Sequence, residues 1–415
     1  MGERGGHYAS AFHPPQSLAG GPGSKPPGRR RRAGAGARGA PPAAALLLAA
    51  LLAAAWLLWR WGGGGTGRAG AGAAPQMACE DRPARGAVYL NYEVIFGLCN
   101  QMISHLNAVT LALAAGLDGV ILPPAWSRPH FNHSVDEDVW NKNTPIATLL
   151  DIAEMRRRLA PAGIDVLEST EDDALVMRHT CEQAAQSFSP LESIPNAVWR
   201  VRSLVDSIRM RRPANQRCIH FQRYMLFWAH DLTSGANLPY LAAQSLAFNS
   251  TVEALAEEVA AAIGGAFNGA HMRIELDMGL KAEKAMPQYI THMRRLGFNA
   301  SAPLYAASGL LTYNDTGAFR RMEEALKSAG VCSRVLSKEF LVGPERLAGL
   351  HSEQLALVDL LVLTRSARFV GHKASTFSYF ARDLRALRGG GDLTTAGLLE
   401  GGKTWESGTV IAPHD

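Results

Sequence analysis

An unbroken apolar run at residues 43–59 (AAALLLAALLAAAWLLW) most constrains what this chain can become. As a helix, a run of this length reaches the lower limit for crossing the hydrocarbon core of a bilayer. Trp56, Trp59 and Trp61 at its far end suit a membrane interface, and the arginines at 29–32 mark the cytoplasmic flank. The run therefore predicts a signal anchor that places the body of the chain in the lumen.

A cleaved signal peptide is the alternative, because small residues at 69–74 offer a cleavage site. However, a long segment precedes the run, and the run exceeds the roughly 7–15 residues of a signal-peptide apolar region. We therefore expect a disordered cytoplasmic tail over 1–42, a transmembrane helix over 43–61 and a stem over 62–80.

The basic character of the chain belongs to its N-terminal tail. Residues 1–76 hold nine Lys/Arg and one acid, which leaves 33 basic and 36 acidic residues in the rest of the sequence. The pI near 9.0 therefore does not describe the body, and no clustered basic face is visible there. We exclude nucleic acid as a partner.

Two further features are consistent with a glycoprotein located in the lumen of the secretory pathway. All five cysteines lie beyond the apolar run, where disulfides are permitted, and their odd number leaves at least one unpaired. Their pairing is left open, and no Cys/His pattern predicts a metal site. Four N-x-Ser/Thr sequons give candidate N-glycosylation sites at Asn132, Asn249, Asn299 and Asn314.

Short apolar strands alternate with helical patterns through the body. A strand at 86–92, a helix at 101–115 and a strand at 119–122 form one β-α-β unit. The alternation returns later, with helices at 252–263, 317–329, 353–364 and 375–386, and strands at 269–274, 303–307, 331–336 and 367–370. We expect an α/β fold of two facing Rossmann-like domains, 81–235 and 236–415, with ligands at the carboxyl ends of the strands.

The first candidate site lies where the first strand runs into the first helix, at Gly97-Leu-Cys-Asn100-Gln101. A glycine-containing loop that enters a helix presents backbone N–H groups, and the Asn and Gln amides can hold hydroxyls. A plain helix cap explains the same residues equally well. This pattern alone therefore does not decide a function.

Four ionisable residues alternate along and just beyond the predicted strand at 269–274: His271, Arg273, Glu275 and Asp277. Alternate residues share one face of a strand, so these side chains are expected to point together. One interpretation is a surface row of ion pairs. The interpretation that we favour is an anion site in which Arg273 clamps a phosphate bidentately.

A third candidate site follows the predicted strand that ends near Gly371, where Ser375, Thr376 and Phe377 open a helix. Backbone N–H groups, the helix dipole and two hydroxyls would form a phosphate cradle, although a simple Ser/Thr N-cap uses the same residues. Asp359 lies in the middle of an apolar helix and needs a partner there.

Together these stretches resemble the GDP-fucose protein O-fucosyltransferase family, including its plant-type branch. The resemblance covers residues 86–390, and the common order and spacing of the motifs is stronger than any one motif. Cys99 departs from the glycine that many relatives have. The matching stretches are Gly97-Leu-Cys-Asn100-Gln101-Met, Leu122-Pro-Pro-Ala-Trp126, Arg223-Tyr224-Met225, His271-Met-Arg273-Ile-Glu275-Leu-Asp277-Met278, Val358-Asp359-Leu360, Phe369-Val-Gly371 and Ser375-Thr376-Phe377.

The resemblance implies a GT-B-like fold and an inverting, metal-independent transfer with no cofactor beyond the donor substrate GDP-fucose. The C-terminal domain would hold the donor and the N-terminal domain the acceptor. Arg273 would contact the diphosphate, His271 would help to position the nucleotide sugar, and Asp359 would recognise the guanosine. Such fixed donors would stabilise the charge on the departing GDP.

The resemblance also implies roles for residues on both sides of the donor. Ser375, Thr376 and Phe377 would line the phosphate and base pocket, while Asn100 would lie beside the sugar and the acceptor. Glu275 and Asp277 both qualify as the general base, and the choice is left open. Asp136-Glu-Asp138 resembles a metal-binding D-x-D motif, but it lies beside a sequon and is assigned to a solvated loop.

The sequence thus predicts a type II membrane glycosyltransferase of the Golgi or ER that moves fucose from GDP-fucose to a protein Ser/Thr or glycan hydroxyl. Its partners would be the sugar nucleotide, a protein or polysaccharide acceptor and the membrane. Two alternatives stay open: a rhamnosyl- or other deoxysugar transferase, and a non-catalytic luminal glycan-binding protein on the same fold. The presence of Arg273, Asp359 and the Ser375-Thr376-Phe377 set favours an enzyme, because an enzyme that had lost its activity would tend to lose its diphosphate clamp.

Overall fold

The computed structural model describes residues 87–94, 97–127, 141–169, 181–184, 201–207, 210, 218–224, 238–274, 282–312, 314–372, 375–391 and 393–399. Residues 80–415 form one compact unit. In the ranges given above, no helix is both long and apolar enough to cross a membrane. The predicted tail, anchor and stem, the sequon at Asn132, and both candidate bases lie outside the described residues.

The first half of the described chain builds a five-stranded parallel sheet in the order β5-β2-β1-β7-β6. A short antiparallel pair, β3 with β4, lies beside it. The elements are β1 Tyr89–Glu93, α1 Leu98–Ala115, β2 Gly119–Leu122, β3 Ala125–Ser127, β4 Asn141–Thr144, α2 Ile152–Leu159, β5 Asp165–Glu168, β6 Glu182–Ala184 and β7 Cys218–Tyr224.

The second half builds another five-stranded parallel sheet, in the order β10-β9-β8-β11-β12. Its strands are β8 Asn268–His271, β9 Leu304–Ala307, β10 Val335–Leu336, β11 Arg368–His372 and β12 Ala396–Leu399. The helices are α3 Leu238–Ser245, α4 Ser250–Ile263, α5 Ala282–Arg295, α6 Gly309–Thr312, α7 Thr316–Ser328, α8 Lys338–Leu341, α9 Pro344–Leu347, α10 Ser352–Leu363 and α11 Thr376–Leu387.

Burial explains why these segments form parallel sheets. Strands β2, β8 and β9 are buried along their whole length, as expected when helices cover both faces of a sheet. Helix α1 is almost entirely buried, because it packs on its own sheet and also contacts α3 and α11. The largest apolar core therefore draws residues from both sheets, from Val88 to Leu384.

The predicted α/β fold with parallel sheets is confirmed, while several local predictions need correction. The strand expected at 269–274 ends at His271, and the strand expected at 331–336 is only Val335–Leu336. Helix α5 was not predicted, since Pro287 interrupts its pattern. The boundaries proposed for two separate domains stay a prediction.

Cysteine pairing, which the sequence left open, is decided in part by the sheet. Cys181 forms a disulfide with Cys218 across the starts of the neighbouring strands β6 and β7. Cys99 and Cys332 are buried free thiols, and Cys79 lies outside the described residues. The bond therefore fastens one edge of the first sheet.

The three sequons within the described residues differ in environment. Asn249 is the N-cap of α4: its side-chain oxygen accepts from the N–H groups of Thr251 and Val252, and its amide nitrogen donates to the carbonyl of Ala147. Asn299 and Asn314 are exposed, and Asn314 has a positive φ of 59°. Asn249 is thus a structural cap whatever its modification.

Candidate active site

The second and third candidate sites come together because β8 and β11 are neighbours in the second sheet. Ala270 pairs with Val370, so the ends of both strands lie side by side. His271 and Arg273 follow from β8, and His372 ends β11 just before α11 begins. This is the edge formed by the carboxyl ends of the parallel strands, where ligands bind in sheets of this kind.

A tyrosine that sequence reasoning missed holds the chain where β8 ends. The Tyr289 hydroxyl, fully buried on α5, donates to the carbonyl of His271 (2.9 Å) and accepts from the N–H of Arg273 (3.0 Å). The hydroxyl thereby bonds two backbone groups that no longer pair with a neighbouring strand once β8 has ended. Its role was not predictable, because α5 itself was not predicted.

The His271 ring is fixed from two sides. Its Nδ1 lies 2.7 Å from the hydroxyl of Ser378, and its ring centroid lies 4.5 Å from that of Phe377. Burial lowers the pKa of His271 well below its usual value, and the positive charges of Arg273 and His372 lower it further. The imidazole is therefore neutral at physiological pH.

Arg273 is half-buried at this edge, while Met272 and Ile274 beside it are buried. Burial alternates over these three residues, although the N–H of Ile274 donates to the carbonyl of Met272 in a tight turn (3.1 Å) rather than to a neighbouring strand. Burial lowers the pKa of His372, and so does the Arg273 guanidinium, which lies within electrostatic reach of it. The edge thus gathers one arginine and two histidines, a combination that suits an anion.

Helix α11 begins at this edge, and among the described residues no side chain caps its first N–H groups. Ser375 occupies the N-cap position and is half-buried, but it makes no capping hydrogen bond through its side chain. Thr376 and Phe377 follow in the first turn, also half-buried. The arrangement departs from an ordinary Ser/Thr cap and leaves the helix N-terminus able to bind an anion.

Asp359 has protein partners for both carboxylate oxygens. It accepts from the Tyr305 hydroxyl at 2.6 Å and from the ammonium of Lys338 at 2.7 Å, and Lys338 also lies 3.2 Å from Glu339. Burial raises the pKa of Asp359, an effect that Lys338 opposes. The acid therefore has the partner that the sequence demanded, although Lys338 was not identified in advance.

The first candidate site has a different character. Asn100 is half-buried in the first turn of α1; its N–H donates to Gly97 O (3.0 Å) and its carbonyl accepts from Ser104 (3.0 Å), which leaves the side-chain amide out of both bonds. Gln101 is fully buried and joins the backbone of Trp126 through both ends of its amide, at 2.7 and 3.0 Å. Gln101 is thus structural, not a holder of hydroxyls.

Sequence reasoning identified the strand ends but missed the side chains that support them. Tyr289, Lys338 and Ser378 were not assigned roles, because each acts through a partner distant in the chain. Within the described residues, no group of three or more His, Cys, Asp or Glu could hold a metal ion.

Comparisons with known proteins find two similar fucosyltransferase structures. The crystal structure of POFUT1 in complex with GDP-fucose is similar at a TM-score of 0.47 and 14% identity, covering 76% of this chain and 99% of that one. The fucosyltransferase NodZ from Bradyrhizobium is similar at a TM-score of 0.40 and 14% identity, covering 71% of this chain and 92% of that one. No curated protein matches the sequence significantly.

The sequence of residues 89–388 matches the family described as GDP-fucose protein O-fucosyltransferase. The match spans most of the chain, including β1 and α11 at its two ends and each of the three candidate sites. The chain therefore belongs to the GDP-fucose protein O-fucosyltransferase family, and it is a glycosyltransferase of a family whose donor substrate is GDP-fucose.

Proposed function

We propose that this protein is a type II membrane glycosyltransferase that transfers fucose from GDP-fucose to a hydroxyl of a protein Ser/Thr or a glycan. The transfer would be inverting and would need no metal. The observation that carries the proposal is the convergence of Arg273, His271 and the open N-terminus of α11 at one carboxyl edge. This edge offers several donors to one diphosphate.

The chemistry of transfer explains why such donors are required. When the bond from the fucose anomeric carbon to the β-phosphate oxygen breaks, negative charge grows on the GDP leaving group. Arg273 and the N–H groups at the start of α11 would stabilise this charge without a metal ion. Because these donors are fixed before the reaction, little reorganisation accompanies the step.

The remaining residues would orient the two substrates. His271 would hold the nucleotide sugar, Asp359 would contribute to guanosine recognition, and Asn100 at the first sheet would lie beside the acceptor. An inverting displacement also requires a base that removes the proton of the acceptor hydroxyl. Glu275 and Asp277 remain the two candidates for that base.

The luminal part of the proposal rests on the sequence and on one bond. The apolar run at 43–59, with basic residues before it, is typical of a signal anchor. The Cys181–Cys218 disulfide is of a kind that persists in oxidising compartments. We therefore propose residence in the Golgi or ER membrane, with the catalytic body in the lumen.

A donor-binding experiment tests the function directly. The full chain, purified in detergent, would be heated with GDP, GDP-fucose, UDP or UDP-rhamnose, and nucleotide release would be followed with and without acceptor. We expect GDP and GDP-fucose to raise the melting temperature and Arg273→Ala to remove most of that rise. Loss of one charged contact should weaken GDP binding by about 1.5–3 kcal/mol.

Arg320→Ala provides the matched control, since Arg320 is an exposed arginine of α7. It should bind GDP as the unmutated protein does. Stabilisation by uracil nucleotides alone would overturn the fucose assignment in favour of another deoxysugar. Binding of GDP-fucose without turnover on any tested acceptor would favour the non-catalytic alternative.

A further inference from the structure

Ser378 is a fully buried serine in the first turn of α11, and the function proposed above does not use it. Its hydroxyl oxygen accepts from the backbone N–H of His372 at 2.8 Å. The same oxygen lies 2.7 Å from Nδ1 of His271. Ser378 therefore joins the ends of β8 and β11 through one hydroxyl.

A glycine makes this close approach possible. A Cβ atom built on Gly371 would lie 2.6 Å from both Cβ and Oγ of Ser378, closer than real Cβ atoms come to their neighbours. Any other residue at position 371 would therefore displace the hydroxyl from β11. The glycine and the serine act as one feature of the site.

Proton accounting decides the direction of the hydrogen bond to His271. The N–H of His372 can only donate, so it occupies a lone pair of the Ser378 oxygen. The hydroxyl proton then needs an acceptor, and among the described residues His271 Nδ1 is the acceptor within range. With Nδ1 as that acceptor, Ser378 donates to it, and Nδ1 then carries no proton.

A neutral imidazole without a proton on Nδ1 carries it on Nε2. The low pKa of His271, set by burial and by the charges of Arg273 and His372, keeps the ring in this neutral form. Phe377 fixes the tilt of the ring from one side. The ring thus presents a directed N–H, since no described residue is a partner of Nε2.

We propose that Ser378 is a positioning residue that holds His271 as the Nε2–H tautomer, so that the ring donates to an oxygen of the nucleoside diphosphate sugar. This assignment rests on the proposed function for the identity of its ligand. The opposite tautomer would turn a lone pair towards the same oxygen and repel it. Ser378 would therefore act on donor binding entirely through His271.

Nitrogen NMR of the unmutated full chain observes the tautomer directly. With 15N-labelled histidine and His271→Gln to assign the signal, long-range 1H–15N spectra at pH 7.5 should show the proton of His271 on Nε2. A proton on Nδ1 would overturn the proposal, whatever nucleotide the protein binds. The tautomer is read in the unmutated protein, and His271→Gln serves only to assign the signal.

Binding measurements test the positioning role. Ser378→Ala should lose the single-tautomer pattern and weaken GDP binding about tenfold. Ser378→Thr, which keeps the hydroxyl, should restore both. Ser245→Ala is the matched control, because Ser245 is a buried helical serine whose hydroxyl donates to the carbonyl of Ala242.

The outcomes separate this proposal from the proposed function. Unchanged GDP affinity in a folded Ser378→Ala protein would overturn the positioning role. Should Ser378→Ala not fold, Ser378→Cys, which retains a weak donor, takes its place in the same comparison. A third outcome would separate the two claims: the protein prefers UDP to GDP, while the unmutated protein shows the Nε2–H tautomer and Ser378→Ala loses it. This result would overturn the fucose assignment and support the positioning role.

Discussion

The two sheets use buried polar groups in different ways at their carboxyl edges. At the second sheet, buried ionisable side chains contact one another, as in Lys338 with Asp359. At the first sheet, a buried neutral amide, Gln101, fastens the backbone of Trp126. Of these two contacts, only Lys338–Asp359 places formal charges in a low-dielectric setting, where electrostatic interactions are stronger than in water.

The largest test of this difference is removal of the Lys338 charge. Lys338→Met should leave Asp359 buried without its cation and lower the free energy of unfolding by about 3–5 kcal/mol. Urea denaturation measures the loss. Lys327→Met, at an exposed lysine of α7, should change stability little, and a similar small change for Lys338→Met would show that the pair is not a buried charge site.

Two glycines permit a matched comparison of the edges. Gly371→Ala should cost about 1–3 kcal/mol, because its Cβ would collide with Ser378, and should also weaken GDP binding. Gly97→Ala has open space around the new Cβ and negative φ, so it should cost less than about 1 kcal/mol. Thermal unfolding with and without GDP measures both; equal effects would remove the distinction between the edges.

Acidification should reveal buried histidines in both sheets. Burial lowers the pKa of His105, beneath the first sheet, from its ordinary value to about 3. Below pH 6.5 the unfolded state therefore binds more protons than the folded state does. The free energy of unfolding decreases as the pH is lowered, and at pH 5 this residue accounts for a loss of about 2 kcal/mol relative to neutral pH. Unfolding of His105→Asn across pH 5–7.5 should show a shallower slope.

Ligand should separate the histidines of the two sheets. Saturating GDP should reduce the acid loss that His271 and His372 contribute, since an anion favours their protonated forms. It should leave the contribution of His105 unchanged. At pH 5, GDP should raise the free energy of unfolding by the same amount in His105→Asn as in the unmutated protein. If the GDP effect disappeared in His105→Asn, the prediction would be wrong.

A modest effect on stability, with none on GDP binding, is expected at Gln101. Gln101→Leu should cost about 1–2 kcal/mol, because it leaves the N–H and C=O of Trp126 without this partner. GDP affinity should not change. Isothermal calorimetry checks this, with Gln244→Leu as a control at an exposed glutamine of α3. A large loss of GDP binding would return Gln101 to the active site.

Much of the site could be predicted because local sequence patterns mark the ends of strands. Strand alternation points to His271 and Arg273 and the helix-start pattern to Ser375, whereas Phe377 follows only from the family resemblance. The pairing of β8 with β11 brings the ends of these segments together. Of the row of four ionisable residues, only His271 lies in β8, which ends there, and a tyrosine hydroxyl replaces the ladder beyond it; Glu275 and Asp277 lie outside the described residues. No short-range sequence pattern predicts that a distant tyrosine hydroxyl will take over these backbone hydrogen bonds.

The sequence by itself determined the alternation of strands and helices and the chain order of the sites, because hydrophobic periodicity and helix-start signals act over a few residues. Only the tertiary structure decided the partners. Ser378 meets His271 across 107 residues, and Lys338 meets Asp359 across 21. Those pairings depend on strand order, register and the packing allowed by Gly371, which are properties of the whole fold.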